Sequence, residues 1–305
     1  MSFDQNQNQF KAENLFSCKG LTAVVTGGGT GIGLMQTIAL SQNGAKVFIT
    51  SRNFEKLKDV AEKYGKNLNN NGGEIIPIKG DISNKNDIEN LVKEIEIQSK
   101  DGINILFNNA GIAGEGSREG WENINYENPK EYSKQLLKSE FKEWDDILHT
   151  NVAGQYFTAA AFLPLLADGA KSTKGYASQI INVSSISGLM KSSSGGQFAY
   201  TSSKAALVHL SKVMAREFLP LRIRVNQIAP GIFPSEMTAG DSDSTTHKSD
   251  LSNTGKGKGL PSGRPGKEED MAAATLYLAS YAGVFVNGQF IAPDGGATVA
   301  TPSSI

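Results

Sequence analysis

The sequence predicts an α/β fold: one doubly wound, Rossmann-like domain, with a parallel sheet of about seven strands and helices on both faces. Three observations predict it. Short apolar, β-branched runs alternate with stretches of helical period along the 305 residues. A glycine-rich turn joins the first such run to the first helical stretch. Polar and turn residues, among them Asn108, Ser185 and Pro230, follow directly on strand-like runs, and open sheets of this kind bind ligands at the carboxyl ends of their strands.

The first strand is Leu21-Thr22-Ala23-Val24-Val25, short and apolar as a buried parallel strand should be. The turn Thr26-Gly27-Gly28-Gly29-Thr30-Gly31-Ile32-Gly33 follows, and then Ile32, Met35, Ile38, Ala39 and Gln42 fall at helical spacing until Asn43-Gly44. A glycine turn entering a helix offers free backbone N–H groups and the positive end of the helix dipole, which suit a pyrophosphate. The spacing is Gly27-x-x-x-Gly31-x-Gly33 rather than G-x-G-x-x-G, yet strand and helix flank it correctly for nucleotide binding. The next strand, Ala45 to Thr50, ends in Ser51-Arg52-Asn53 with no acidic residue to meet a ribose 2′-hydroxyl. Arg52 can fork onto a 2′-phosphate instead, which favours NADP(H). Further strands are expected near 74–79, 103–107, 178–183, 222–228 and 287–292, joined by right-handed crossovers.

Tyr200 and Lys204 stand four apart in a helical stretch from Phe198 to Phe218, so they share a face. An ammonium beside a phenol favours the phenolate and lowers a pKa whose reference is ~10. A phenol tuned this way can exchange a proton at neutral pH. Alone, such a pair reads as a surface contact; with a dinucleotide turn upstream it reads as chemistry.

With these motifs in place the chain resembles the short-chain dehydrogenase/reductase family from about Phe16 to Ala297. The resemblance rests on the glycine turn, Asn108-Asn109-Ala110-Gly111, Asn151, Ser185 with Gly188, Tyr200 with Lys204, and Pro230-Gly231. It implies that Tyr200 is the general acid, Lys204 its partner and a ribose contact, Ser185 the donor to the carbonyl oxygen, and Asn151 the holder of a relay water. Ser184 and Ser187 are the alternatives to Ser185. Cofactor contacts are implied at Gly27, Gly31, Ile32, Gly33, Ser51, Arg52, Asp81, Ile82, Asn108, Ala110, Gly111, Tyr200, Lys204, Pro230, Gly231 and Ile232. Asp81 would meet the adenine amino group; by residue type alone it is also an N-cap for the following helix.

Residues Ala229–Thr238, with Gly263–Lys267 downstream, resemble the 3-oxoacyl-thioester branch of the family, the rhamnolipid-type reductases. That implies NADPH-dependent reduction of a ketone, with a 3-oxoacyl thioester as one substrate class. A polyol or small secondary-alcohol dehydrogenase is the alternative enzyme. A catalytically idle NADP(H) sensor is the alternative of another class, against which stand the four catalytic positions together. The tail Gly288 to Gly296 resembles a segment used in homodimer and homotetramer contacts.

A net charge of −1 leaves no field for nucleic acid or anionic membranes. One cysteine, Cys18, excludes an internal disulfide, and the three histidines have no metal-pair spacing. No apolar run reaches spanning length and no basic-apolar leader opens the chain, so a cytoplasmic enzyme is expected. Residues 1–15 are expected to be a loosely ordered arm before a single domain over 16–300. Two segments stand out. Residues 114–139 read as an insertion with Trp121, Tyr126 and Tyr132 as anchors, on the surface or at the site's mouth. Residues 232–263, rich in Gly, Ser, Thr and Lys, read as a substrate lid.

Overall fold

Successive residues of the central strands divide between two cores, and that division builds the three-layer arrangement. In the computed structural model, Ala23, Val25, Val47, Ile49, Ile105, Phe107 and Ile181 enter one core, while Val24, Phe48, Leu106 and Ile180 enter the other. A slip of one residue would exchange every side chain between the two, so burial fixes the register.

The structure describes residues 7–66, 68, 72–114 and 120–304. The first six residues of the expected arm, residues 115–119 of the insertion and the final residue lie outside these. Gln7–Phe10 forms a 3-10 turn and α1 (Ala12–Leu15) a single helical turn. The alternation then runs β1 (Thr22–Thr26), α2 (Gly31–Gln42), β2 (Lys46–Ser51), α3 (Phe54–Gly65), β3 (Glu74–Lys79), α4 (Lys85–Gln98) and β4 (Ile105–Asn108). Next come α5 (Pro129–Leu136), α6 (Phe141–Leu148), α7 (Gln155–Ser172), β5 (Gln179–Val183), α8 (Phe198–Glu217) and β6 (Arg224–Ile228). The chain ends with α9 (Glu236–Ala239), α10 (Glu268–Ala279), β7 (Phe290–Ile291) and α11 (Ala297–Ala300).

The sheet is parallel throughout, in the order β3-β2-β1-β4-β5-β6-β7. Strand order reverses between β1 and β4, and the crevice above their carboxyl ends is where a ligand of such a sheet sits. Side chains of α2, α3 and α10 (Leu34, Leu40, Leu57, Val60, Met271, Leu278) close one core. Those of α4, α7 and α8 (Leu91, Ile95, Phe162, Leu166, Met214) close the other. Pro77 is tolerated because β3 is an edge strand, where a missing N–H breaks no second ladder.

The last strand is shorter than expected. Asn287 uses its side-chain oxygen to accept the Val225 N–H at 2.9 Å, and Gly288 takes φ +72°. A side chain thus replaces a ladder bond, and only Phe290–Ile291 pairs regularly. Among the described residues, no helix is long and apolar enough to cross a membrane.

Candidate active site

The glycine turn is shaped by close approaches. A methyl on Gly33 would collide with the Gly27 carbonyl oxygen, and one on Gly31 (φ +52°) would stand 2.9 Å from Ser235 Cβ. Thr30, the N-cap of α2, makes no side-chain capping bond, so the first N–H groups of a 12-residue helix face the crevice. A small-residue cradle at a helix N-terminus fits a dinucleotide pyrophosphate. Thr26 locks the turn to β4: its Oγ1 accepts the Asn109 and Ala110 N–H groups, both at 3.0 Å, and donates to the Phe107 carbonyl at 3.2 Å. The Asn109 amide returns the contact to the Thr26 carbonyl at 2.9 Å.

At the end of β2, Arg52 is exposed and makes no ion pair among the described residues. Asn53 caps α3 by accepting the Lys56 N–H at 3.1 Å. Lys56 reaches across to Glu236, with Nζ–Oε1 at 2.9 Å. Partial burial works to raise the Glu236 pKa, but bonds from Ser242 and Lys56 and the Lys56 charge outweigh it and hold the carboxyl below its ordinary value. Asp81 does not cap the following helix. Its Oδ1 accepts from Ser83 N–H at 2.9 Å and Ser83 Oγ at 2.7 Å, closing a local turn, and Asn84 is the residue that caps α4. Two residues of freedom in the chain let the Asx turn and the cap separate.

Tyr200 and Lys204 lie on the first turns of α8, 8% and 4% exposed. Lys204 Nζ is 5.7 Å from the Tyr200 ring centroid and donates to the Val183 carbonyl at 2.9 Å. Burial lowers the ammonium pKa from 10.5 to about 8. Ser185 begins the turn after β5; its Oγ accepts the Ser187 N–H at 3.1 Å, and its own O–H finds no acceptor among the described residues. Ser184 instead donates to the Ile228 carbonyl (3.3 Å) and Ser187 Oγ accepts from Ser194 Oγ (3.0 Å), so the structure separates the three serines. The spacing from Ser185 to Gly188 has a steric cause. A Gly188 methyl would stand 2.5 Å from the Lys204 carbonyl carbon, so only glycine lets this turn pack on α8.

Asn151 sits in a π-helical turn, His149–Gly154, between α6 and α7; such turns recur at functional sites. Its oxygen accepts the Ile112 N–H at 2.8 Å, and its amide donates to the Ile112 carbonyl (2.8 Å) and Ser203 Oγ (3.0 Å). Ser203 Oγ in turn donates to the Tyr200 carbonyl at 2.7 Å. Gly111 lies where Asn151 and Lys204 converge: a methyl there would stand 2.9 Å from Asn151 Oδ1 and 3.6 Å from Lys204 Nζ. The structure therefore gathers Gly111, Asn151, Ser185, Tyr200 and Lys204 at the ends of β4 and β5. Pro230 and Gly231 close the same mouth: the Pro230 carbonyl accepts Ile186 N–H at 3.1 Å, and Gly231 abuts Asp294. Ile232 continues the chain toward the glycine turn, its carbonyl accepting Gly266 N–H at 2.8 Å. Ile82 is buried against Gly154.

Asn108, which belongs to a motif, is braced by two residues that escaped the motifs, Asn182 and Gln155. Asn108 donates to Asn182 Oδ1 at 3.0 Å and to the Gln155 carbonyl at 3.1 Å; Asn182 donates to Ser211 Oγ at 2.8 Å. Gln155 reaches the Ala110 carbonyl at 3.1 Å. Asn182 carries the one readable signal, an amide inside the otherwise apolar Ile180-Ile181-Asn182-Val183.

The two unusual segments flank the site. Gly114 is pressed against Glu143 and Ile147 of α6, Asn128 caps α5, and Trp121 packs on Gly196 and on the Phe198 ring at 5.8 Å. Gly196 (φ +90°) lies in the loop between Ser185 and Tyr200, so the insertion touches that loop rather than remote surface. The 232–263 segment docks on α3 through Tyr64 Oη to the Thr246 carbonyl (2.7 Å) and Lys63 Nζ to the Thr245 carbonyl (3.1 Å). His247, buried within it, turns to Asp59 of α3 at 4.0 Å, while His149 and His209 are exposed.

A crevice with a glycine cradle, a β2-end arginine and a buried Tyr–Lys–Ser–Asn group defines a nicotinamide-dependent oxidoreductase of the one-domain type. The family model "short chain dehydrogenase" matches residues 21–245, and the chain belongs to the short-chain dehydrogenase/reductase family. It is 41% identical over 294 residues to the short-chain dehydrogenase/reductase PhomF of Diaporthe leptostromiformis, covering 96% of each chain. It is 32% identical to the rhamnolipids biosynthesis 3-oxoacyl-[acyl-carrier-protein] reductase of Pseudomonas aeruginosa, over 92% of this chain and 97% of the other. The RhlG/NADP active-site complex of Pseudomonas aeruginosa superposes with a TM-score of 0.74 at 32% identity, over 92% of this chain and 98% of that one.

Proposed function

We propose that this oxidoreductase reduces a ketone to a secondary alcohol with NADPH, and that a 3-oxoacyl thioester is its substrate class. The observation that carries the reading is the buried group Ser185, Tyr200, Lys204 and Asn151 beside a cradle whose phosphate end holds Arg52, which makes no ion pair among the described residues. The name of the Pseudomonas aeruginosa reductase supports the substrate class, and the NADP of the RhlG complex supports the cofactor.

When bound, the nicotinamide supplies the hydride. Tyr200 gives its phenolic proton to the carbonyl oxygen as negative charge grows there. Ser185, whose O–H has no acceptor among the described residues, donates to the same oxygen and stabilises that charge. Lys204, held by Val183, keeps a positive charge beside the phenol and binds ribose hydroxyls. Asn151 keeps one oxygen lone pair for a water that returns protons toward Lys204. Gly27, Gly31, Ile32 and Gly33 admit the pyrophosphate, and Ser51 and Arg52 meet the 2′-phosphate. Asp81, Ile82, Asn108, Ala110 and Gly111 line the adenosine and ribose side, with Pro230, Gly231 and Ile232 at the carboxamide. Residues 232–263 act as the lid within a single domain over 16–300.

The enzyme works in the cytosol as a homodimer or homotetramer. The free thiol of Cys18 suits a reducing compartment. Fully exposed Phe285 and Val299 flank β7, the face for self-association. A single monomer mass by light scattering would refute the assembly.

Initial rates with acetoacetyl thioester and a ketone panel, NADPH beside NADH, test the function in wild type and Tyr200→Phe. NADPH consumption that collapses in the variant is the expected result. Turnover of fructose or sorbitol with none of the thioester would make the protein a polyol dehydrogenase. Tight NADPH binding without turnover would make it a sensor.

A further inference from the structure

One carboxylate sits among the groups that the cradle offers to phosphate. Glu236 Oε1 receives Lys56 Nζ at 2.9 Å and Ser242 Oγ at 2.6 Å, and Oε2 receives Thr30 Oγ1 at 3.4 Å. Thr30 is the N-cap of α2 and part of the glycine turn. Lys56 lies in the first turn of α3, directly after Ser51-Arg52-Asn53, with its stem against Gly29 of the same turn. Its ammonium therefore stands between the β2 end, which carries the exposed Arg52, and the N-terminus of α2. Glu236 comes from the other side of the crevice, at the start of the 232–263 segment, next to Ser235 that abuts Gly31.

An anion in this place, held by a lysine and a hydroxyl at a helix N-terminus, is what a phosphate would be. The carboxylate and a phosphate have the same donors to share. Lys56 is only 28% exposed, so its charge is weakly screened from whichever anion it meets.

We propose that Lys56 is a further phosphate-binding cation of the dinucleotide site, and that Glu236 is its built-in competitor, released when cofactor phosphate takes its place. The lid segment is thereby tied to the cofactor: the residue that must give up Lys56 opens that segment. This inference rests on the dinucleotide-binding reading of the site, but not on which ketone is reduced or whether any is.

The test is a fluorescence titration of NADPH and of NADH into wild type, Glu236→Gln, Lys56→Gln, Lys56→Arg and the Glu236→Gln/Lys56→Gln double variant. Thermal melts alongside confirm that each folds, and both positions are part-exposed. Glu236→Gln should bind NADPH roughly fivefold more tightly, and Lys56→Gln roughly fivefold more weakly, the range of one part-exposed charge contact. Lys56→Arg should restore the affinity, and Glu236→Gln should do nothing once Lys56 is gone. Effects confined to NADPH place the 2′-phosphate at Lys56; equal effects on NADH place the pyrophosphate there. Unchanged or weaker NADPH binding by Glu236→Gln, or additive effects in the double variant, would overturn the proposal. A wild type that binds neither dinucleotide would remove the site reading itself, whereas binding without turnover leaves this test intact.

Discussion

Replacing Lys204 by methionine should stabilise the protein while destroying its activity. The unfolded lysine keeps its proton up to 10.5, but burial brings the folded group down to about 8. Between those values the unfolded state binds more protons, so this group makes the wild type more stable as pH rises. Holding the buried charge costs the folded state about 3 kcal/mol at pH 7 and about 2 kcal/mol at pH 9. Methionine removes that cost and fills similar volume, but it strands the Val183 carbonyl that Lys204 now bonds at 2.9 Å. The lost bond offsets about 1 kcal/mol. The variant should then exceed wild type by about 2 kcal/mol at pH 7 and about 1 kcal/mol at pH 9, with the gap closing near pH 10.

Urea unfolding of both proteins, followed by tryptophan fluorescence at pH 7 and 9, reads this difference directly. Comparison of the two is essential because other groups titrate in the same range. Burial pushes the Cys18 thiol up from 9.0 to about 12, so the unfolded state loses that proton first and stability falls above pH 9. Burial raises the Tyr176 phenol as well. Both groups are shared by the two proteins and cancel. A stability gap that is the same at pH 7 and pH 9, or a variant weaker than wild type at pH 7, would refute the argument.

Arg52→Asp should shift the NADPH/NADH ratio of kcat/KM toward NADH by about tenfold or more, since one charge is removed and an opposite one added; an unchanged ratio would sink the 2′-phosphate role. Trp121→Ala should raise KM for ketones several-fold with KM for NADPH unchanged, because Trp121 supports the Gly196 loop between Ser185 and Tyr200; steady-state kinetics with both substrates varied would show it. Gly33→Ala should lower unfolding free energy by about 1–3 kcal/mol through the clash with the Gly27 carbonyl. It should also abolish NADPH binding, and a normal urea midpoint with normal affinity would show that the turn can relax.

What could be read from the chain was whatever its cause is local. The β1–turn–α2 unit was legible because β-branched residues, glycines and a helical period lie side by side. The Tyr200–Lys204 pair was legible because a helix turns sequence spacing into proximity. Ser203 was not, since nothing local separates it from Ser202; its importance comes from Asn151, on a distant π-helical turn. The start of β7 could not be read either, because Asn287 replaces a strand partner with a side chain. Asp81 and Asn84 are both good capping types in one turn, and only the backbone path chooses between them. The docking of Trp121 on Gly196 is a contact between two loops, with no periodic signal to announce it.

The site's precision follows from how few independent parts it has. Lys204 is anchored to the last residue of β5, and Ser185 begins two residues beyond that anchor. Gly188 presses the same turn on the Lys204–Ala205 backbone, while Ser203 ties Tyr200 to Asn151. Asn151 in turn clamps Ile112, just past β4, through both its oxygen and its amide. Any movement of α8 relative to the sheet must therefore break several buried hydrogen bonds together, each leaving an unpaired group at about 1–3 kcal/mol. That stiffness holds the phenol, the hydroxyl and the ammonium in one geometry. It leaves adjustment to the parts outside the clamp, which are the Gly196 loop with Trp121 and the segment that begins at Glu236.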